Sequence, residues 1–286
     1  MSNYCIVYWL ILFIPSLPVK ADTQIVYWHR LQDNPAAFQI LQLALDKTAK
    51  KFGTYALIPS ESMEQERAEL ELQNGRLDIA NFAPDTAREA LLEPVRIPVT
   101  QGLLGYRVCL IKTGSQHLFD PVQTLSGWRE NNLTIGQETG WPDTEILEAN
   151  QLKVVKVPKY PLLFTMLDQG RFDCFSRSIS EVAEELNAHP ELELEKNLLL
   201  VYRLPTFFFF KKTDKTLAKR LHQGLQSAYK DGSISALIKD YYRNQFETMG
   251  IAQRRVLYLE NPLLTRPTRE ALEHFQYWLE IKEFQP

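Results

Sequence analysis

Few residues in this chain have both the type and the spacing that catalysis or metal binding requires. The five histidines are scattered along 286 residues and show no metal-ligand spacing. The sequence has no Gly-x-Ser-x-Gly motif, no glycine-rich phosphate loop and no Cys-x-x-Cys pair. Glu138 and Glu181 are the candidate general bases, and the sequence shows a partner for neither. It therefore predicts no enzyme activity, no metal and no cofactor.

A better-defined group is the helix start that follows Thr139-Gly140-Trp141, where Pro142 suits the first helical turn. The unpaired N–H groups and the dipole of a helix N-terminus favour an anion. This stretch is either an anion-binding loop or a plain helix start. Trp141 either closes over a ligand or packs against its neighbours.

Two similar stretches, residues 72–79 and 167–174, predict the elements that position these groups. Each has Leu three residues before Gly, then Arg, an apolar residue, Asp and another apolar residue. Gly just past a helix end supplies a left-handed C-cap. Each stretch therefore predicts a helix, a tight turn at Gly75 or Gly170, and a buried strand. Two copies in matching context indicate that one α/β unit was built twice.

Strand and helix patterns alternate as β-α-β-α-β up to about residue 80, and again from residue 133, which is typical of parallel sheets with crossover helices. Between the two units, Thr86 and Glu89 have the spacing of a capping box and predict a short helix.

Long apolar runs at residues 103–112 and 198–211 bracket the second unit. We expect both to be continuous strands that cross between two lobes. Further on, residues 255–259 are strand-like and Thr268 is expected to cap a last helix. We expect this extension, residues 247–286, to pack on the first lobe; the alternative is a surface that contacts a membrane receptor.

The composition, 45% hydrophobic and 23% charged with a net charge of -3, is that of an ordinary globular protein. Its charges are well mixed, and no basic run suggests nucleic acid. We expect a monomer whose partner is a small molecule.

The N-terminus predicts export. Residues 4–14 are an uninterrupted apolar run, too short to span a bilayer, and we expect a signal peptide of residues 1–21 that is cleaved after Ala21. The alternative is a buried N-terminal strand or helix. Cys109 and Cys174 would then lie in an oxidising compartment, where they either pair or stay as buried free thiols.

Several of these stretches together resemble the family 3 extracellular solute-binding proteins, the amino-acid-type periplasmic receptors of ABC importers. The resemblance covers about residues 22–245 and rests on residues 74–79, 86–88, 135–140, 169–178 and 204–242. It implies an α/β, two-lobed type 2 periplasmic-binding-protein fold with two hinge strands and a ligand in the cleft. Ligands of open α/β sheets do bind at the carboxyl ends of the strands. The first lobe would comprise residues 22–103 and 204–286, and the second residues 104–203.

The family holds an amino-acid carboxylate with an Arg in a Thr-x-Arg context, which matches Arg88 here. A guanidinium suits a carboxylate because it donates two parallel hydrogen bonds. The alternative is an Arg88 on the solvated face of its helix. The resemblance gives Thr139, Gly140 and Trp141 the role of donating backbone N–H groups to the same carboxylate.

Two aromatic residues, Trp28 and Phe82, lie at the ends of predicted strands, where they would either wall the cleft or belong to the core. Arg107, in the first crossing strand, is either a hinge ion-pair residue or a ligand contact.

The sequence departs from the family after the second Gly turn. Amino-acid binders place an Asp there for the ligand's ammonium, whereas this chain has Ser176-Arg177-Ser178. If Arg177 faces the cleft beside Ser178, we expect a ligand that is acidic or lacks an ammonium group. The alternatives are that Arg177 points to solvent or pairs with Glu181.

The resemblance thus predicts a periplasmic protein that captures a small polar ligand, amino-acid-like or carboxylate-bearing, by closing its lobes, and delivers it to an ABC permease. The alternatives are a sensor subunit that reports to a membrane receptor, and a periplasmic dehydratase or lyase on the same fold.

Overall fold

The computed structural model describes residues 23–274 and 277–284, so the predicted signal peptide lies outside the described residues. The strands are β1 (Thr23–Tyr27), β2 (Tyr55–Pro59), β3 (Ala80–Phe82), β4 (Leu92–Val95), β5 (Tyr106–Lys112), β6 (Thr134–Glu138), β7 (Lys153–Val157), β8 (Cys174–Ser178), β9 (Leu192–Leu194), β10 (Leu198–Val201), β11 (Phe207–Lys211) and β12 (Arg255–Tyr258). The helices are α1 (Pro35–Lys47), α2 (Ala49–Phe52), α3 (Gln65–Asn74), α4 (Thr86–Leu91), α5 (Leu125–Glu130), α6 (Pro142–Ala149), α7 (Tyr160–Asp168), α8 (Val182–Ala188), α9 (Lys215–Lys230), α10 (Ser233–Thr248) and α11 (Arg266–Ala271).

The two predicted α/β units are both present. In the first lobe β1 pairs with β2 in parallel, and Tyr27 forms a parallel bridge to Ile79. The return strand β11 lies antiparallel between β3 and β4, and its four phenylalanines, residues 207–210, are fully buried. In the second lobe the described strands form one sheet in the order β12-β10-β5-β8-β6-β7, with β9 also paired to β5.

Both repeated turns have the predicted conformation. Gly75 ends α3 with φ of 73°, and Gly170 follows α7 with φ of 68°. Both angles lie in the left-handed region that glycine tolerates best. The prediction of helix, glycine turn and strand is confirmed in both lobes.

The two crossing segments are not the continuous strands that we expected. Residues 96–105 and 202–206 lie between sheets, and irregular backbone connects β4 to β5 and β10 to β11. The segments still hold each other, because Tyr202 N–H donates to the Gly105 carbonyl at 3.1 Å. Gly105 is required there, since a Cβ would lie 1.9 Å from the Tyr202 oxygen.

The expected capping box does not form. Asp85, rather than Thr86, caps α4, because its side chain accepts from Arg88 N–H at 2.7 Å. Glu89 is buried and accepts instead from Thr268 at 2.7 Å. The last helix is likewise capped by Thr265 rather than Thr268.

The C-terminal extension does not pack on the first lobe alone. Strand β12 pairs in parallel with β10 and so extends the sheet of the second lobe. On the first lobe, Ile251 packs beside α10 before β12, and Leu264 joins the buried core after it.

Cys109 on β5 and Cys174 on β8 form a disulfide with a Cα–Cα distance of 5.1 Å. Both residues are buried in the core of the second lobe. Of the two possibilities that the sequence left open, the pairing is the one present.

Candidate functional site

A cleft of about 940 Å³ lies between the two lobes. The first lobe contributes Trp28, just after β1, and Phe82, at the end of β3. The second contributes Gly140, just after β6, and Arg177, near the end of β8. These positions at the carboxyl ends of strands are the expected location of a ligand site in α/β sheets.

The structure brings together six of the eight predicted site residues and leaves out two. Trp28, Phe82, Arg88, Gly140, Trp141 and Arg177 all line the cleft. Thr139 does not, because its N–H and its hydroxyl both donate to the Val157 carbonyl, at 2.9 and 3.3 Å. Ser178 is fully buried and donates to the Leu103 carbonyl at 3.1 Å. Both hydroxyls therefore hold loops in place rather than face the cleft.

Arg88 is engaged within its own lobe. Its guanidinium pairs with Glu69 at 2.7 Å and with Asp85 at 2.8 Å, and it lies over the Phe82 ring at 5.0 Å from the centroid. The side chain is only 10% exposed, so the alternative of a solvated Arg88 is wrong. Its Nε is a buried nitrogen without a hydrogen-bond partner. The Arg88 guanidinium is therefore not free to bind a ligand carboxylate through two parallel hydrogen bonds, which is the role that the sequence predicted for it.

Arg177 lies in the cleft wall and also pairs with Glu181. The sequence analysis gave these two arrangements as alternatives, and the structure has both. Its nearest contacts are Glu185 at 2.6 Å and Glu181 at 3.0 Å, with the Trp141 ring centroid at 5.0 Å. Burial by itself would lower the pKa of Arg177. The carboxylates of Glu181 and Glu185 have the larger combined effect, so the pKa of Arg177 is raised. Because two carboxylates already compensate this cation, the inference of an acidic ligand loses its basis.

A third buried cation, Arg107, pairs with Asp143 at 2.6 Å beside the Tyr202 hydroxyl, which donates to the same carboxylate. Burial raises the pKa of Tyr202 well above its usual value, although Arg107 opposes the shift. Sequence reasoning named Arg107 but missed Asp143 and Tyr202. The available signal was an acidic residue in the first turn of α6.

Asp143 also changes the interpretation of the helix start. Trp141 is the N-cap of α6, Pro142 occupies the first turn, and Asp143 and Glu145 place two carboxylates there. The position that a helix dipole offers to an anion is thus occupied by the protein's own side chains. Gly140, with φ of 91°, stays open to the cleft, because a Cβ there would meet nothing within 4 Å.

The aromatic residues belong to both core and cleft. Trp28 and Phe82 are 7% and 2% exposed, and their ring centroids lie 5.1 Å apart. The Trp28 indole N–H donates to the Met63 carbonyl at 3.0 Å. Each ring therefore presents only a small part of its surface to the cleft.

Buried polar atoms without a partner concentrate at this cleft. Eight such side-chain atoms occur in the part of the chain that the structure describes, and half of them belong to cleft-lining residues. These are Asn81 Oδ1, Arg88 Nε, Arg107 Nε and Thr206 Oγ1. Buried polar groups are normally hydrogen-bonded, so four such residues around one cavity make it a candidate site for a polar molecule.

The accessible charges of the cleft are mainly negative. Asp85 and Glu181 have side chains 45% and 44% exposed, and Glu145 is also exposed. The cations Arg88, Arg107 and Arg177 lie beneath the surface in ion pairs. Arg30 is the exposed cation of the lining, with a side chain 44% exposed and paired with Glu64. The groups that an entering molecule meets first are thus three carboxylates from both lobes and one arginine.

Among residues 23–274 and 277–284, no group of three or more His, Cys, Asp or Glu side chains is placed to hold a metal ion. In the same ranges, no helix has the length and apolar character that crossing a membrane requires.

No protein-family model matches the chain, and no curated protein matches it. Solved structures do. An ancestral arginine-binding protein bound to arginine is 15% identical, with a TM-score of 0.50 over 78% of this chain and 99% of the other. Two structures of amino-acid ABC transporter substrate-binding proteins from Streptococcus pneumoniae, each bound to L-arginine, are also similar. One is 14% identical with a TM-score of 0.50 over 78% of this chain and 95% of the other. The second is 13% identical with a TM-score of 0.51 over 77% and 92%.

These neighbours confirm the predicted resemblance at the level of the fold. The chain has the two-lobed α/β architecture of amino-acid-type substrate-binding proteins. At such low identity the likeness says nothing further about the ligand.

Proposed function

We propose that this protein is a periplasmic solute-binding protein that captures a small polar molecule in the cleft between its lobes. The observation that carries the proposal is the cleft itself, whose walls come from both lobes and include four residues that each have a buried polar atom without a partner. The predicted signal peptide and the shared fold support export and delivery to the permease of an ABC importer. The protein would act as a monomer, with its lobes divided near residues 103 and 203.

An amino-acid-like ligand fits the cleft better than a dicarboxylate. An amino group would meet the exposed carboxylates of Asp85, Glu145 and Glu181. The exposed Arg30 guanidinium in the same lining is a donor suited to an oxygen acceptor. A molecule with an ammonium group and a polar oxygen complements both sets, whereas two carboxylates would face repulsion.

The alternative functions have less support. Glu138 does not line the cleft, and Glu181 pairs with Arg177, so the two candidate bases of an enzyme lack a shared site. A sensor role rests on the C-terminal extension, which instead lies across the protein's own lobes.

A thermal-shift screen of the chain from Asp22 onward tests the proposal. The panel would contain L-arginine, L-lysine, L-glutamine, L-glutamate, succinate and glucuronate. A ligand at 100 times its Kd stabilises the native state by about 2.7 kcal/mol and so raises the Tm. We expect at least one amine-bearing compound to do so. A panel in which none of the compounds shifts the Tm would contradict the proposed function.

A further inference from the structure

The C-terminal extension leaves α10, which packs on α1 and α9 of the first lobe, and enters the sheet of the second lobe. Strand β12 pairs in parallel with β10, in the register Leu198 to Arg255 and Val201 to Tyr258. Leu259 N–H continues the pairing by donating to the Val201 carbonyl at 2.9 Å. This is a first anchor, built from main-chain hydrogen bonds.

The same segment is anchored again in the first lobe a few residues later. Leu264 and Leu272 are buried in the cluster that contains Phe82. Thr265 and Thr268 donate to the buried Glu89 carboxylate, at 3.0 and 2.7 Å. This second anchor combines apolar burial with charge-assisted hydrogen bonds, which are roughly twice as strong as neutral ones.

Between the anchors the chain crosses the cleft. Asn261 to Leu264 all line the cavity, so they form part of its wall. Asn150 fixes the start of the crossing, since its side chain donates to the Glu260 carbonyl at 2.8 Å and accepts from Glu260 N–H at 3.0 Å. Asn261 donates to the Arg203 carbonyl at 2.7 Å. The six residues from Leu259 to Leu264 span at most about 17 Å from first to last Cα when fully extended, which leaves little slack.

The end of the chain also holds one of the crossing segments. Leu279 N–H donates to the Gln101 carbonyl at 3.1 Å, and the Tyr106 hydroxyl donates to the Leu279 carbonyl at 2.9 Å. The Trp278 ring packs on Gly102, where a Cβ would lie 2.4 Å from it. The extension therefore restrains the backbone about which the lobes would rotate.

The chain passes from α10 in the first lobe to β12 in the second at residues 249–254, and residues 259–264 bring it back. We infer that this returning segment, residues 259–264, is an additional connection between the lobes, which fixes the width of the cleft and supplies one of its walls. The two crossing segments alone permit the hinge motion expected of a two-lobed binding protein. A further short segment, anchored in both lobes, opposes that motion. Ligand enters and leaves a preset cleft, without the lobes swinging apart. This inference does not depend on which molecule binds, or on whether one does.

Distances between spin labels on the two lobes test the inference. Glu66→Cys on α3 and Ala149→Cys on α6 place labels at exposed positions, while the native cysteines stay paired and buried. The chain from Asp22 onward is used without ligand, so that Cys5 is absent. We expect one narrow distance distribution.

A Gly-Ser insertion of six residues between Asn261 and Pro262 keeps both anchors and lengthens the connection. Such a linker has a root-mean-square span of roughly 13 Å, so we expect an added, longer distance that differs by several ångströms. The same insertion after Gly114, an exposed turn with nothing near its Cβ position, is the matched control and leaves the distribution unchanged.

Two outcomes overturn the inference. One is a ligand-free protein of natural sequence that already populates separate open and closed distances. The other is a lengthened connection that leaves the distribution as narrow as before. The measurement on the natural sequence decides the matter even if the insertion variant does not fold.

Discussion

Asp78 and Asp173 occupy equivalent positions in the two lobes and make equivalent hydrogen bonds. Asp78 Oδ2 accepts from Val26 N–H on β1 at 2.6 Å, and Asp173 Oδ2 accepts from Thr134 N–H on β6 at 2.8 Å. Each carboxylate follows its glycine turn and ties that turn to the first strand of its unit. The repeated Gly-Arg-x-Asp spacing thus stabilises the fold rather than binding a ligand.

We expect Asp78→Ala and Asp173→Ala each to lower the free energy of unfolding by about 1–3 kcal/mol, because a strand N–H loses a charged acceptor. Chemical denaturation measures the loss. Asp240→Ala, at an exposed position on α10, is the control and should change stability by no more than about 0.5 kcal/mol. Losses as small as the control's for both variants would show that the repeated Asp has no structural role.

The pH dependence of stability should reveal Asp78. Burial raises its pKa above the ordinary value of 3.8, although the Val26 N–H opposes the shift. The folded state therefore binds a proton at higher pH than the unfolded state, and the carboxyl adds stability as the pH falls. We expect the natural protein to gain stability relative to Asp78→Asn between pH 7 and pH 4. A difference that is constant over this range would contradict the assignment.

Arg177 should matter for folding as well as for the cleft. Its removal leaves the buried Glu185 carboxylate without its closest cation, and breaking a buried ion pair costs about 3–5 kcal/mol. We therefore expect Arg177→Met to be strongly destabilised in urea denaturation. The double variant Arg177→Met with Glu185→Leu removes both charges and should recover most of the loss. A double variant as unstable as the single one would mean that packing, not charge, explains the effect.

The disulfide between Cys109 and Cys174 closes a loop of 65 residues. The chain-entropy model gives such a loop about 4 kcal/mol of stabilisation. We expect Cys109→Ala with Cys174→Ala to lose about 2–5 kcal/mol, and the natural protein to lose a similar amount when a reductant is present during unfolding. A reductant that leaves the urea midpoint unchanged would contradict the role of this bond.

The parts of the fold that local chemistry determines were predictable. Gly75 and Gly170 marked their turns because a left-handed backbone favours glycine. Helix and strand order followed from periodicity, and the two-lobed fold followed from the resemblance that these elements carry.

Contacts distant in sequence were not predictable. Glu69 and Glu185 neutralise Arg88 and Arg177, and no local pattern distinguishes a partnered arginine from a free one. The pairing of β12 with β10 depends on which sheet edge is open, a property of the assembled lobe. The pairing of Arg177 with Glu181 is the exception among these contacts. The two residues are four apart in sequence, and this spacing predicted the ion pair.

Isothermal titration of the tightest compound from the thermal-shift panel tests the central claim, that the cleft binds a small polar ligand. Thr206→Val removes the buried hydroxyl of a cleft-lining residue, which has no partner within the protein, and Thr113→Val removes a hydroxyl bonded to the Glu191 carbonyl on an exposed loop. One hydrogen bond contributes about 1 kcal/mol, so we expect Thr206→Val to weaken binding roughly fivefold and Thr113→Val to leave it unchanged. Equal Kd values for the natural protein and both variants would contradict the placement of the ligand in this cleft.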